Sequence, residues 1–166
     1  MKGKSLFILL FITALLLFLF NGCARDSYSD VMTSNNYDEF NRLKEYETEN
    51  IFRVYEVEDG KIIQLVRIQG YEESMELIFE INGEEVNNVI LLNENETENY
   101  GGYVREEWFL KRLYVPIKEK VQVVKMAKEK ENQVVAITGA TITTRAAVKG
   151  LNLCIENYRG IKNEKK

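Results

Sequence analysis

Histidine is absent from all 166 residues, cysteine occurs twice and proline once. Each scarcity removes a class of chemistry. Without imidazole there is no general base for a serine-histidine-aspartate triad, no histidine-ligated haem, and none of the commonest transition-metal ligand. Two cysteines, Cys23 and Cys154, are too few for a zinc or iron–sulfur cluster. The basic residues number 22 against 26 acidic ones, a net charge of −4. An acidic chain argues against nucleic acid as a partner and against electrostatic adhesion to anionic lipid. Any redox work would need a cofactor that carries its own chemistry.

One long apolar run is present, and it lies at the start. Met1-Lys2-Gly3-Lys4 precedes Leu6 to Phe20, interrupted only by Thr13. A membrane-spanning helix needs about 20 apolar residues, and a basic n-region before a shorter run reads as an export signal. Phe20-Asn21-Gly22-Cys23 follows at once. It resembles the lipobox of bacterial lipoproteins, in which cleavage precedes the cysteine and the cysteine is acylated. The expectation is a signal peptide over 1–22, lipidation at Cys23, and a protein lipid-anchored on the extracytoplasmic face of the cell membrane. An uncleaved N-terminal anchor is the other reading, and it too puts the chain on a membrane surface. Cleavage would remove Lys2 and Lys4, leaving 20 basic and 26 acidic residues, a net charge near −6. Cys154 would then be the one remaining thiol, and no intramolecular disulfide is possible.

Residues 23–50 read as a tether. Ala24 to Asn36 is polar, and Tyr37, Phe40, Leu43 and Tyr46 recur every third residue, which predicts a short amphipathic helix. From Phe52 the periodicity shortens. Asp59-Gly60 separates two β-rich runs. Met75, Leu77, Phe79 and Ile81 alternate strictly up to Asn82-Gly83, and Val86 to Leu91 returns. Both turns are hairpin signals. Asn93 to Gly102 is an acidic loop, and Arg105 to Tyr114 a helix with Trp108 and Phe109 in its core, stopped by Pro116. Val121, Val123 and Met126 suggest a strand, and Val134 to Ile137 a final buried one. A helix from Thr143 or Thr144 to Tyr158 places Ala147, Leu151, Cys154, Ile155 and Tyr158 on one face, with Gly160 ending it. Gly150 inside that helix suggests a close-packed neighbour. The fold class is α+β: β-hairpins forming a small antiparallel sheet, packed with a few helices. The domain spans 51–160, and 161–166 is a polar tail.

The stretch that carries chemistry is Thr138-Gly139-Ala140-Thr141-Ile142-Thr143-Thr144, between the last strand and the closing helix. Gly139 and Ala140 leave the backbone accessible, and Thr143 or Thr144 is a natural N-cap. The free N–H groups and dipole of the helix favour an anion in front of it, and the Thr141 hydroxyl can carry a phosphate. A capped turn with nothing bound explains the same residues. Elsewhere, Glu96 and Thr97 are ligand contacts or solvated loop groups. Tyr100 and Tyr103 are stacking faces or edge packing. Arg145 is a phosphate partner or a solvated cation.

Thr138-Gly139-Ala140-Thr141-Ile142-Thr143 resembles the Ser/Thr-Gly-Ala-Thr signature of FMN-binding domains. These include the G subunit of the Rnf electron-transport complex and the C subunit of the sodium-pumping NADH:quinone reductase. Glu96-Thr97-Glu98-Asn99-Tyr100-Gly101 stands where that family has Glu-Thr-Pro-Gly-Leu-Gly, and Gly70-Tyr71 is similar to the pair that opens the family's core. The likeness runs from about Gly70 to Tyr158. It implies FMN joined through its phosphate to Thr141, with Thr138, Gly139, Ala140, Thr143, Glu96 and Thr97 around it. It also implies a role in electron transfer, redox partner proteins, and a magnesium-dependent flavin transferase that attaches the cofactor. Such a protein is a carrier or a redox-complex subunit rather than a self-contained enzyme. Members of the family it resembles usually carry an aspartate six residues before the modified threonine, and this chain has Val135. Two further readings therefore stay open: a fold-retaining lipoprotein without covalent flavin, acting as a binding or structural component, and non-covalent FMN binding.

Overall fold

The computed structural model describes residues 28–165, so the export segment and Cys23 lie outside the described residues. The chain divides into two units, Met1–Asp38 and Glu39–Lys166. The described part of the first contains a six-residue helix, α1 (Ser29–Ser34), in the stretch read as a polar tether. Its own side chains close it: Thr33 Oγ1 donates to Ser29 O at 3.1 Å, and Ser34 Oγ to Val31 O at 2.9 Å.

The second unit is built on a five-stranded antiparallel meander in the order β1-β2-β3-β4-β5. The strands are β1 (Phe40–Arg42), β2 (Ile51–Val57), β3 (Ile62–Gln69), β4 (Ser74–Asn82) and β5 (Glu85–Asn93). Both hairpin signals sit at turns. Asp59 and Gly60 have φ of 61° and 69°, and Gly83 has 63°. This is the left-handed backbone that aspartate and glycine tolerate.

The helix expected over 37–49 is not there. Phe40 and Arg42 pair with Val57 and Tyr55 at the sheet edge, and Lys44–Tyr46 forms one 3-10 turn. Arg42 holds that turn with a two-pronged bond to Glu47 at 2.7 and 2.9 Å. Backbone pairing to an open strand edge outweighs a weak three-residue periodicity.

After β5 the chain runs through a 3-10 segment (Gly101–Arg105), α2 (Glu107–Leu110) and another 3-10 turn (Lys111–Leu113). Phe109 is buried, but Trp108 is 44% exposed, with Arg112 stacked 4.5 Å from its ring centre. Trp108 is thus not the core residue expected. β6 (Gln122–Val124) and β7 (Gln133–Val135) then pair in parallel as a separate two-stranded sheet. Met126 is outside β6 and exposed.

The closing helix α3 spans Thr141–Glu164, longer at both ends than the pattern suggested. Its apolar stripe packs on β3 and β4, and the predicted face is buried. Gly150 permits that approach, since a Cβ there would lie 3.2 Å from Val66 Cγ1. Gln64, buried in mid-strand, donates to the Cys154 carbonyl at 2.7 Å and accepts from Asn157 at 2.8 Å. These bonds fix helix register where a polar strand residue would otherwise be costly. Gly160 does not end α3, because Ile161 continues the stripe into full burial and Lys162 Nζ donates to Gly60 O at 2.8 Å. The segment read as a polar tail is therefore helical to Glu164. Burial pushes the Cys154 thiol far up from its ordinary pKa, which removes it as a nucleophile. No helix among the described residues is long and apolar enough to cross a membrane.

Candidate functional site

Three segments distant in sequence meet at one end of α3. They are the β3–β4 connection, the loop after β5, and the Thr138–Ala140 turn with the first turn of the helix. Between them lies a cavity of about 510 Å³, within the range of small-molecule sites.

Glu96 is the hub. It is 7% exposed and spends both carboxylate oxygens on the protein. Oε1 accepts from the Tyr71 N–H at 2.8 Å and Oε2 from Thr143 Oγ1 at 2.6 Å. Gly70 and Gly101 flank it so tightly that a Cβ would come within 2.1 and 2.5 Å of those oxygens. Glu96 therefore ties all three segments together, and its own amide is held by Glu94 Oε2 at 2.7 Å. Thr97 is exposed; its hydroxyl donates to Glu72 Oε1 at 3.2 Å, and its carbonyl accepts from the N–H groups of Tyr100 and Gly102.

The helix end is built differently from the expected N-cap. Ala140 is the N-cap, without a side-chain cap, and Thr141 is the first helical residue. Thr144 lies one turn inside, fully buried. Its hydroxyl accepts from the Ile137 N–H at 3.1 Å and donates to Ala140 O at 2.9 Å, stapling strand exit to helix start. The first N–H bonded along the helix is that of Thr144, to Ala140 O at 3.0 Å. The N–H groups of Thr141, Ile142 and Thr143 precede the intrahelical ladder and stand at the cavity.

Glu96, Thr97, Gly139, Ala140, Thr141 and Thr143 all line this cavity. Thr138 does not: it is exposed on the turn. Arg145 also points away, lining a different groove beside β6. Tyr100 is at the cavity and Tyr103 is not. Sequence reasoning did not assign Tyr71, Glu72, Gly101 or Ile142 to the site. The Gly70-Tyr71 pair was the available signal for the first two.

The walls suit a ligand with a flat ring at one end and an anion at the other. Tyr71, Tyr100 and Ile142 are large apolar groups left exposed here, and aromatic faces stack on planar rings. Gly139 has φ of 79°, and a Cβ on it would meet the Tyr100 ring at 2.6 Å. The glycine thus keeps open the ground between ring and turn. Uncapped amides with the positive helix end supply the anion site. These residues fit FMN.

A profile of the FMN-binding domain matches residues 70–156, just over half the chain. The G subunit of the Na(+)-translocating ferredoxin:NAD(+) oxidoreductase complex of Acetobacterium woodii is 31% identical over 104 residues. That alignment covers 61% of this chain and 50% of the relative, so the chain spans about half the length of that curated relative. Among solved structures, the C subunit of the Na(+)-translocating NADH-quinone reductase of Parabacteroides distasonis superposes with a TM-score of 0.60 at 18% identity. The match covers 80% of this chain and 82% of that one. NqrC of Shewanella oneidensis gives 0.53 at 15%, covering 62% and 54%. The two likenesses show a shared α+β fold, an antiparallel sheet with a C-terminal helix. With its profile beginning at Gly70, where the β3–β4 connection enters the site, and running through the Thr138–Thr144 turn, the chain belongs to the FMN-binding domain family.

Proposed function

We propose that this protein carries FMN as an electron-transfer group on the extracytoplasmic face of the cell membrane, with the flavin esterified through its phosphate to Thr141. The observation that carries the reading is the position of Thr141. It opens α3 at the cavity, beside three amides outside the helical ladder. FMN, when bound, supplies one- and two-electron chemistry that no side chain here can. The chain's own part is to hold and orient. Thr141 Oγ1 would form its bond to the flavin-side phosphorus of a flavin dinucleotide donor as the P–O bond of the pyrophosphate breaks; the nucleoside monophosphate would leave and the hydroxyl proton pass to solvent, with a flavin transferase handling the donor. The amides of Thr141 to Thr143 offset the phosphodiester charge. Tyr100 and Tyr71 offer ring faces, and Glu96 fixes the distance between the loop wall and the helix.

Redox partner proteins of an electron-transport chain follow from the same reading, because a tethered carrier must exchange electrons with neighbours. The Acetobacterium relative belongs to an oxidoreductase complex, which supports it. Lipidation of Cys23 after removal of 1–22, a tether to residue 50 and a domain over 51–160 complete the proposal. Membrane attachment lost on Cys23→Ala would support the anchor; unchanged partition would remove it.

Val135 favours a second reading, in which the domain keeps the family's shape without covalent flavin. Fluorescence of the denatured protein in a gel separates the two, using full chain exported from a host that also makes a flavin transferase. A fluorescent band lost in Thr141→Ala is the expected result. A dark wild-type band would favour the second reading, and a band surviving Thr141→Ala would move the attachment elsewhere.

A further inference from the structure

A second groove, of about 560 Å³, runs between β6 and α3 and contains none of the residues of the flavin cavity. β6 is bonded to β7 along one edge only. Gln122 N–H donates to Asn132 O at 2.9 Å, and Val124 O accepts from Ala136 N–H at 2.8 Å. In a parallel pair, alternate residues turn both backbone groups to the other side. Here these are Val123 on β6 and Val121, the residue just before it.

At Val121 both groups are taken by one side chain. Asn152 accepts from its N–H at 2.9 Å and donates to its carbonyl at 3.0 Å. A carboxamide from α3 thus makes the pair of bonds that a residue of a neighbouring strand would make. One rung further, the N–H and C=O of Val123 have no partner among the described residues, and the Val123 side chain is only half-buried. The open rung presents a donor and an acceptor side by side.

The charges along the groove have one sign in excess. Lys120, Arg145 and Lys149 line it, with Glu156 the one acid. None of the three cations makes an ion pair among the described residues. In a chain of net charge −4 this is a local reversal. Val148 and Leu153 give the groove an apolar floor.

We propose that the groove receives an extended acidic segment of a partner protein, which adds to β6 at Val123 as a third strand and sets its carboxylates against Lys120, Arg145 and Lys149. Strand addition takes its affinity from main-chain bonds and its specificity from alternate side chains. An anionic membrane surface would match the charge alone. A lipid phosphate has no donor for the Val123 carbonyl, whereas a peptide backbone satisfies both groups of the rung.

The test is fluorescence anisotropy with the full chain and a labelled, end-capped heptapeptide of alternating glutamate and valine. Two further peptides carry N-methyl groups on odd or on even residues, so that each keeps only one hydrogen-bonding edge. Saturable binding is expected, weakened about tenfold by Lys120→Glu with Lys149→Glu, both exposed, and by added salt. One methylated peptide should bind like the parent and the other at least about tenfold more weakly, since blocking the paired edge removes its main-chain bonds. No saturable binding, or equal affinity of the two methylated peptides, would overturn the proposal. Charge reversal that abolishes adhesion to phosphatidylglycerol vesicles while sparing the peptide would overturn it too, in favour of a membrane-facing groove. Circular dichroism of the variants, unchanged from wild type, shows that any loss is not unfolding.

Discussion

Thr143 Oγ1 donates to Glu96 Oε2 at 2.6 Å, across 47 residues of sequence and with both side chains buried. This bond joins the loop after β5 to the first turn of α3, so the cavity between them has a fixed width. Glu96→Ala should cost about 2–3 kcal/mol, because it strands a buried hydroxyl and the Tyr71 amide. Glu96→Gln should cost less, about 1 kcal/mol, since a carboxamide keeps one acceptor and the Thr143 hydroxyl can rotate to accept. Denaturant melts of these variants with Thr143→Val close a double-mutant cycle. A coupling energy of about 1–2 kcal/mol is expected for groups in direct contact; additivity would mean the bond does not hold the two walls.

Thr144→Val tests the other staple. Valine keeps the shape and removes the hydroxyl that bridges the Ile137 amide and the Ala140 carbonyl. The expected loss is about 1–3 kcal/mol, the cost of a buried donor without a partner. Because Thr144 does not line the cavity, the variant should weaken flavin retention through loosening of the turn. Thermal melting and flavin content measured on one preparation decide this; full stability with reduced flavin would place Thr144 in direct contact.

Gly139→Ala meets two obstacles of different origin. The φ of 79° costs a residue with a side chain about 1–2 kcal/mol. The new Cβ would also sit 2.6 Å from the Tyr100 ring, which is exposed and free to swing aside. Tyr100→Ala in the Gly139→Ala background should therefore leave the stability loss in place. If the second change restores stability, ring contact and not backbone strain is the cost. Tyrosine fluorescence and melting temperature give the two readouts.

The fold was legible where local chemistry decides it. Asn82-Gly83 and Asp59-Gly60 make their turns from their own dihedral preferences, and the alternation in β4 set its inward face. The ends of α3 were less legible, although the stripe through Cys154 and Tyr158 does continue to Ile161. Gly160 reads as a stop only when its surroundings are unknown; a Cβ there would meet open space, so it lies harmlessly on the outer side. The site was half legible. The turn residues are contiguous and announce themselves, whereas Tyr71 and Glu72 arrive from 25 and 24 residues before Glu96 through N–H hydrogen bonds to its carboxylate that no sequence pattern encodes. The role of Thr144 was hidden because a threonine near a helix start reads as a cap, while this one works from inside the first turn.

Val135 is one of the positions where this chain departs from the sequence pattern it resembles, Glu98-Asn99 being another, and its surroundings say what an aspartate there would do. Val135 ends β7, half-buried, and its carbonyl accepts from Arg112 Nη1 at 2.9 Å. Arg112 is itself held over the Trp108 ring. A carboxylate introduced here would find a fixed guanidinium within one residue's reach, so Val135→Asp should fold with a stability change within about 1 kcal/mol, as for half-exposed sites. Under the carrier reading, the flavin transferase recognises a carboxylate at this position, and the wild-type chain is a poor substrate for it. The initial rate of covalent flavin incorporation should then rise in Val135→Asp, by roughly tenfold if one charge-assisted contact of about 1.4 kcal/mol is gained. Thr141→Ala in the same background should return it to zero. An unchanged rate would mean that position 135 is not read in this chain and that attachment is governed by the Thr138–Thr144 turn alone.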